Sequence, residues 1–284
     1  VNDMPCVNIK LDNMPRFEME VHEHGDQYIS HELTTLGRWE PFETSVIRRF
    51  LDSDTEFYDI GANIGWYSVV AGLTIGVAAG PIHAFEPVRD NAALLTRNIS
   101  RNSLTNVRVN PYALGDRTDV VDMHLSPTNK GDHQVDGSAP DRQTQRCGMA
   151  RFDTYHAPSL RKILIKIDTQ GSELSIIEGM GRYLGSIRNL TMVIEFWPVG
   201  LERRPGSTKR LIEKLASHGF GAFSITEDDG RIRPADWDIL ERASMGPIAP
   251  ETGGFVNLLL VRNRDVLVRE FEDLYDSVPS HHLI

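Results

Sequence analysis

Four acidic residues close apolar runs in this 284-residue chain: Asp59 in FYDI, Glu86 in HAFEP, Asp168 in ILIKID and Glu195 in LTMVIEF. A carboxylate accepts several hydrogen bonds and attracts cations, so such groups can hold paired hydroxyls, face an ammonium or sulfonium, or take a proton. One acidic residue after a strand is ordinarily a helix cap. Four on separate strands point to one edge, because ligands of open α/β sheets sit outside the carboxyl ends of the strands.

The segment after Asp59 narrows the ligand. Gly61, Ala62, Asn63, Ile64 and Gly65 form a small-residue turn between a strand and a helix beginning near Trp66, an arrangement that holds nucleotide-like ligands. The spacing is G-x-x-x-G. It lacks the middle glycine of the dinucleotide fingerprint and the lysine of a P-loop, which argues against a pyrophosphate. Glu86, ending the second strand, is placed to accept both hydroxyls of a ribose. An adenosine with little phosphate fits, and S-adenosylmethionine is such a molecule; Asp59 and Glu86 suit its positive charges. On these grounds alone an NAD site stays open, although no Tyr-x-x-x-Lys or zinc set accompanies it.

Strands and helices must alternate to position these groups. Periodicity predicts strands over 56–60, 81–85, 106–110, 162–167 and 190–196, with helices over 65–75, 88–102, 172–184 and 207–218. A further strand over 118–125 feeds a polar segment, 126–146, of loop or lid character. Two last strands, 220–225 and 254–261, read as an antiparallel hairpin closing a parallel sheet. Residues 1–50 form an N-terminal extension packed on a domain over 51–284. Within the extension, 16–30 alternates like a strand pair around Gly25-Asp26, and 40–51 reads as an amphipathic helix.

Composition bounds the partners. A net charge of −10 disfavours a non-specific grip on nucleic acid or an anionic membrane. The two cysteines, Cys6 and Cys147, provide neither a disulfide framework nor a CxxC metal site, and suggest a reducing, cytoplasmic setting. No apolar run has the length of a membrane span, and the first residues do not read as a signal peptide. The sequons at Asn98 and Asn189 are read as chance.

The runs DIGANIGWYS, HAFEPVRDNAALLTRNISRN, NVRVNPYALGD, RFDTYHA, LIKIDTQGSELSIIEGM and MVIEFWP, with GRWE at 37–40 and GGFVNLLLV near the end, together resemble the FkbM family of S-adenosylmethionine-dependent methyltransferases. The resemblance covers roughly residues 26–262. It implies a class I Rossmann-like fold: a seven-stranded, mostly parallel sheet with an antiparallel last strand and helices on both faces. It also implies methyl transfer to a hydroxyl of a sugar or glycan, or of a polyketide-type natural product. Carried over, it places Asp59, Gly61, Ala62, Asn63 and Gly65 at the methionine end of the cofactor, Glu86 and Pro87 at the ribose, and Tyr112 and Ala113 around the adenine. Asp168 would lie nearest the methyl and Glu195 would face the acceptor. The family pattern places a Glu where this chain has Gln170, which leaves Asp168 and Glu173 as the charged members of that segment.

A hydroxyl is a poor nucleophile, so a general base is expected. Asp168 is the first candidate, Glu195 the second and His133 the third; a surface role for His133 is the plainer reading. A Mg²⁺-assisted variant would use Asp168, Glu195 and Asp132 or His133 as ligands, although no spacing demands a metal. His22 and His24 would share one strand face, where zinc binding competes with simple exposure. Trp66 and Trp197 flank the site and could stack on a sugar or fill the core. The tail DVLVREFEDLY reads as a helix for a homodimer contact or for covering the sheet. A small-molecule or glycan acceptor is the expected partner, and a non-catalytic nucleoside-binding scaffold is the alternative class.

Overall fold

The computed structural model describes residues 4–135, 142–155, 159–243 and 254–276. The extension contributes an antiparallel pair, β1 (Cys6–Ile9) and β2 (Phe17–Glu20), then α1 (Ile29–Leu36) and α2 (Pro41–Phe50). Alternation follows: β3 (Thr55–Ile60), α3 (Trp66–Ile75), β4 (Ile82–Phe85), α4 (Arg89–Arg101) and β5 (Val107–Asn110). A side sheet comes next, from β6 (Ala113–Gly115), β7 (Asp119–Leu125) and β8 (Gln143–Arg151), ending in the short α5 (Phe152–Tyr155). The chain returns through β9 (Lys162–Ile167), α6 (Glu173–Gly179), α7 (Gly181–Ser186), β10 (Leu190–Phe196), α8 (Pro198–Leu201) and α9 (Ser207–Ser217). It closes with β11 (Gly221–Thr226), β12 (Arg231–Ala235), α10 (Trp237–Ala243), β13 (Val256–Val261) and α11 (Asp265–Phe271).

The large sheet runs β12-β11-β13-β10-β9-β3-β4-β5. Pairs from β5 through β10 are parallel, and β13 is antiparallel to both neighbours. Its central strands are buried on both faces, which is why LTMVIEF and KILIKI read as nearly continuous apolar runs. Alternation divides them between two cores. Tyr58, Ile165 and Ile194 face one layer of helices, and Phe57, Leu164 and Val193 face the other. The chain winds outward from β3 through β4 to β5, then returns to β9 on the opposite side of β3. The order therefore reverses between β3 and β9, where doubly wound sheets open a crevice. This is the Rossmann-like methyltransferase topology, with β12 as an eighth, antiparallel strand at the edge.

Three expectations need correction. The strand pair around Gly25-Asp26 does not form: the Asp26 carboxylate accepts the Ser30 N–H at 2.9 Å and the Ser30 hydroxyl at 2.7 Å, turning the chain into α1. The helix expected over 172–184 breaks at Met180. Glycines at 179, 181 and 185 weaken it, and Gly179 lies so close to the Gly115 carbonyl that a Cβ would meet it at 2.0 Å. The two closing strands pair antiparallel as expected, β11 with β13, but not as a simple hairpin: β12 and α10 lie between them in the chain, and β13 inserts between β10 and β11.

The extension is pinned to the sheet layer. Asn98 of α4 is fully buried; its Oδ1 accepts the Glu20 N–H at 2.6 Å, and its Nδ2 donates to the carbonyls of Glu20 and Ile64 at 3.0 and 2.8 Å. That burial leaves this sequon inaccessible in the fold. At the other end, Leu267 and Phe271 of α11 pack into the core shared with the extension, so this helix covers the sheet. Among the described residues, no helix is long and apolar enough to cross a membrane.

Candidate active site

A cavity of about 690 Å³ opens at the strand-order reversal, where the ends of β3, β4, β9 and β10 converge. That size suits a drug-sized ligand. Its floor is the turn after β3. Gly61 has φ +86°, and a Cβ there would lie 1.9 Å from the Asp168 carbonyl oxygen, so only glycine lets β3 and β9 close at this point. Gly61, Ala62, Asn63 and Ile64 line the cavity, whereas Asp59 and Gly65 do not. Asp59 is buried behind the turn and accepts the Ser68 hydroxyl at 2.6 Å. Burial pushes its carboxyl up to about 6. Gly65, at φ +93°, lies against Leu95 of α4. These two residues shape the turn from behind.

Glu86, after β4, is on the wall. Its Oε2 accepts the Asn63 N–H at 2.8 Å and its Oε1 the Val88 N–H at 2.9 Å. Two backbone donors thus lock the carboxylate across the turn while each oxygen retains accepting capacity. Burial pushes its carboxyl up to about 7 despite those donors. Pro87, Val88, Tyr112 and Ala113 continue the wall.

At the far end, Asp168 and Glu195 come together. Gln170 Nε2 donates to Glu195 Oε2 at 2.8 Å and to Asp168 Oδ1 at 3.3 Å, and Gln170 itself holds φ +55°. Asp168 Oδ2 accepts from Lys166 Nζ at 2.9 Å. Burial, then the charges of Asp168 and Glu173, push the Glu195 carboxyl well above the usual range. Glu173 lies off the cavity wall. Its Oε1 gathers the N–H groups of Thr169 and Gly171 and the Thr169 hydroxyl at 3.0–3.2 Å, so it organises the loop that presents Asp168 and Gln170.

The extension supplies residues that motif reading left without a role. Tyr28, Ile29, Trp39 and Glu40 line the cavity. Glu40 has a left-handed backbone, φ 40° and ψ 66°, an uncommon state for a non-glycine residue. Its Oε2 accepts the Tyr67 hydroxyl at 2.7 Å, and burial followed by the charge of Glu43 pushes it up to about 8. Lys166 Nζ lies 3.4 Å from Glu43 Oε1 and 4.6 Å from the centre of the Tyr67 ring. Burial opposes the charge on Lys166, but Asp168, Glu43 and Glu40 outweigh it and hold the ammonium well above its usual range. The lysine interrupting the apolar run ILIKI, Lys166, was the available sequence signal. The described residues of 226–252 do not line the cavity, and 244–253 lie outside the described residues.

His133 is not a surface residue. It is buried on the cavity wall, and its Nδ1 accepts the Ser126 N–H at 3.0 Å. Burial, then Lys130 and Arg142, depress the imidazole to about 4, so the neutral ring carries its proton on Nε2 and cannot accept one there. The polar segment around it is partly built: Gln134 bridges His124, and β8 begins at Gln143. Its part over 136–141 lies outside the described residues. His22 and His24 do not form a strand pair; His22 Nε2 is hydrogen-bonded to Asn91 at 2.8 Å and His24 is exposed. Among the described residues no three His, Cys, Asp or Glu side chains are grouped to hold a metal, so the Mg²⁺ variant finds no ligand set there. Both tryptophans line the cavity: Trp66 is buried, donating from Nε1 to Thr44 at 2.9 Å, and half-buried Trp197 has Arg203 stacked on it at 4.7 Å.

A doubly wound sheet with this order and an acid-rimmed cavity at its reversal point is the architecture of a Rossmann-like methyltransferase domain. The sequence model of the methyltransferase FkbM domain matches residues 59–221, more than half of the chain, and the chain belongs to that family. The hexuronic acid methyltransferase AglP of Haloferax volcanii is 27% identical over 149 residues, 51% of this chain and 59% of that protein. The chain thus spans less than two thirds of this curated relative. The crystal structure of an FkbM methyltransferase from Methylobacillus flagellatus superposes with a TM-score of 0.47 at 16% identity, covering 74% of this chain and 44% of that one. That of TYW2 from M. jannaschii in complex with AdoMet gives 0.44 at 10% identity, covering 92% and 86%. Likeness at these scores bears on neither substrate nor mechanism.

Proposed function

We propose that the chain is an S-adenosylmethionine-dependent O-methyltransferase whose acceptor is a hydroxyl of a sugar or glycan. The observation that carries the donor reading is Glu86: a carboxylate clamped by two backbone N–H groups at the strand reversal, beside a turn too tight for any side chain at Gly61. The residues present fit the cofactor. Asn63 Oδ1 is buried without a hydrogen-bond partner among the described residues, an acceptor suited to an ammonium. Val88, Ala113 and Met123 give the wall an apolar face for a purine.

In this reading Gly61, Ala62 and Asn63 take the amino-acid tail, Glu86 and Pro87 the ribose, Tyr112 and Ala113 the base, and Asp168 the transfer end. Asp59 and Gly65 act from behind the turn. When bound, S-adenosylmethionine supplies an electrophilic methyl group on a sulfonium. Asp168 and Glu195 are the candidate proton acceptors for the hydroxyl, and the shared donor Gln170 orients both. Asp168, paired with Lys166, aligns the reacting groups, and the buried walls exclude water. Support for a sugar comes from the chain's similarity to a hexuronic acid methyltransferase. Trp39 and Trp197 add flat faces on which a sugar ring can pack.

The test is calorimetric titration of S-adenosylmethionine and S-adenosylhomocysteine, with NAD as control and Glu86→Ala alongside. It is followed by mass spectrometry of a methyl glycoside panel that includes hexuronides. Micromolar binding lost in the variant, and a gain of one methyl group on a glycoside, are the expected results. Failure of both ligands to bind would refute the donor reading; binding with methylation only of non-sugar hydroxyls would refute the acceptor.

A further inference from the structure

We infer that His133 is a cofactor-binding residue, donating a hydrogen bond from Nε2 to the nucleoside of the bound methyl donor; this rests on the donor reading above. The tautomer follows from connectivity. The backbone N–H of Ser126 points at Nδ1 from 3.0 Å, and since that N–H can only donate, Nδ1 accepts and the single ring proton of the neutral imidazole is on Nε2. Nε2 is buried and has no hydrogen-bond partner among the described residues. His133 is 9% exposed and lines the cavity. A buried N–H without a partner is costly, so in a native protein it is satisfied by something that enters the site.

The surroundings specify that partner. The 126–135 segment is tied to the cofactor turn: the Lys130 carbonyl accepts Asn63 Nδ2 at 3.3 Å and Asn91 Nδ2 at 2.9 Å. Asn63 in turn donates its N–H to Glu86. His133 is therefore held by the same network that holds the ribose-binding carboxylate. In the same cavity Val88, Ala113, Met123 and Val135 form an apolar face. An apolar face with one buried donor at its margin matches a flat heteroaromatic base with acceptor atoms on its edge and on the attached sugar. Burial and the charges of Lys130 and Arg142 depress the imidazole, so the ring presents a neutral N–H donor to the cavity.

Calorimetry with S-adenosylhomocysteine and 5′-methylthioadenosine, on wild type, His133→Phe and His133→Asn, tests this without any acceptor. Phe removes the donor; Asn removes the reach into the cavity but keeps an acceptor for the Ser126 N–H, so one variant stands if the other unfolds in a melting scan. Both folded variants should bind both ligands about ten- to a hundredfold more weakly. Folded variants within threefold of wild type would overturn the inference alone. Weakening confined to S-adenosylhomocysteine would place the contact on the amino-acid tail and overturn the nucleoside assignment. Wild type that binds neither ligand would overturn the donor reading, and this inference with it.

Discussion

The side-chain amide of Gln170 stands between two carboxylates, 2.8 Å from Glu195 and 3.3 Å from Asp168, and donates to both. A neutral donor at this point lets two acids converge on the cavity without a third negative charge. Replacement by Glu, the residue of the family pattern, would remove the donor and add a charge beside Glu195, which already resists ionisation. Gln170→Glu should destabilise the ligand-free protein by about 1–3 kcal/mol at pH 8, and by much less at pH 5, where a proton can be shared. Urea unfolding at the two pH values decides; an equal penalty at both would show that charge is not the cause.

Gly61→Ala should be far more damaging than its size suggests. The new methyl would meet the Asp168 carbonyl oxygen at 1.9 Å from a backbone at φ +86°. A loss of about 3 kcal/mol or more is expected, together with loss of S-adenosylhomocysteine binding. A variant melting within two degrees of wild type, with unchanged affinity, would contradict the close approach of β3 and β9.

The pH dependence of stability has a definite sign. Burial pushes Asp59 up to about 6, Glu86 up to about 7 and Glu40, with help from Glu43, up to about 8. Above the ordinary carboxylate range the unfolded chain has lost these protons while the native state retains them. Their contribution is therefore complete below that range and declines as pH rises through the native values. The ligand-free protein should be less stable at pH 8 than at pH 5, by several kcal/mol in order of magnitude. Denaturant titrations across that window would detect it; stability flat or rising over the interval would count against these assignments.

Asn98→Ala should detach the extension. It leaves the Glu20 N–H and the carbonyls of Glu20 and Ile64 without their partner inside the core. The cost is about 2–4 kcal/mol, and hydrogen exchange should speed up first in β1 and β2. If exchange there matches wild type, the anchoring of the extension does not depend on Asn98.

Much of this could be seen in the sequence because it depends on local order. Apolar runs buried on both faces showed the β-α alternation from Thr55 to Phe196. The breaks at Gly61 and Gly65 marked the turn, and acids closing the strands marked the edge where a ligand would sit. Those signals reside in single segments and do not require knowledge of what packs against them. The tertiary structure alone decided the pairings across the site. It set Gln170 between Asp168 and Glu195, drew Glu40 and Tyr67 to Lys166, and moved Asp59 and Gly65 behind the wall. It also buried His133 with its Nδ1 occupied by the Ser126 N–H. Hydrogen-bond partners and desolvation depend on residues distant in the chain, and periodicity is blind to distance across the fold.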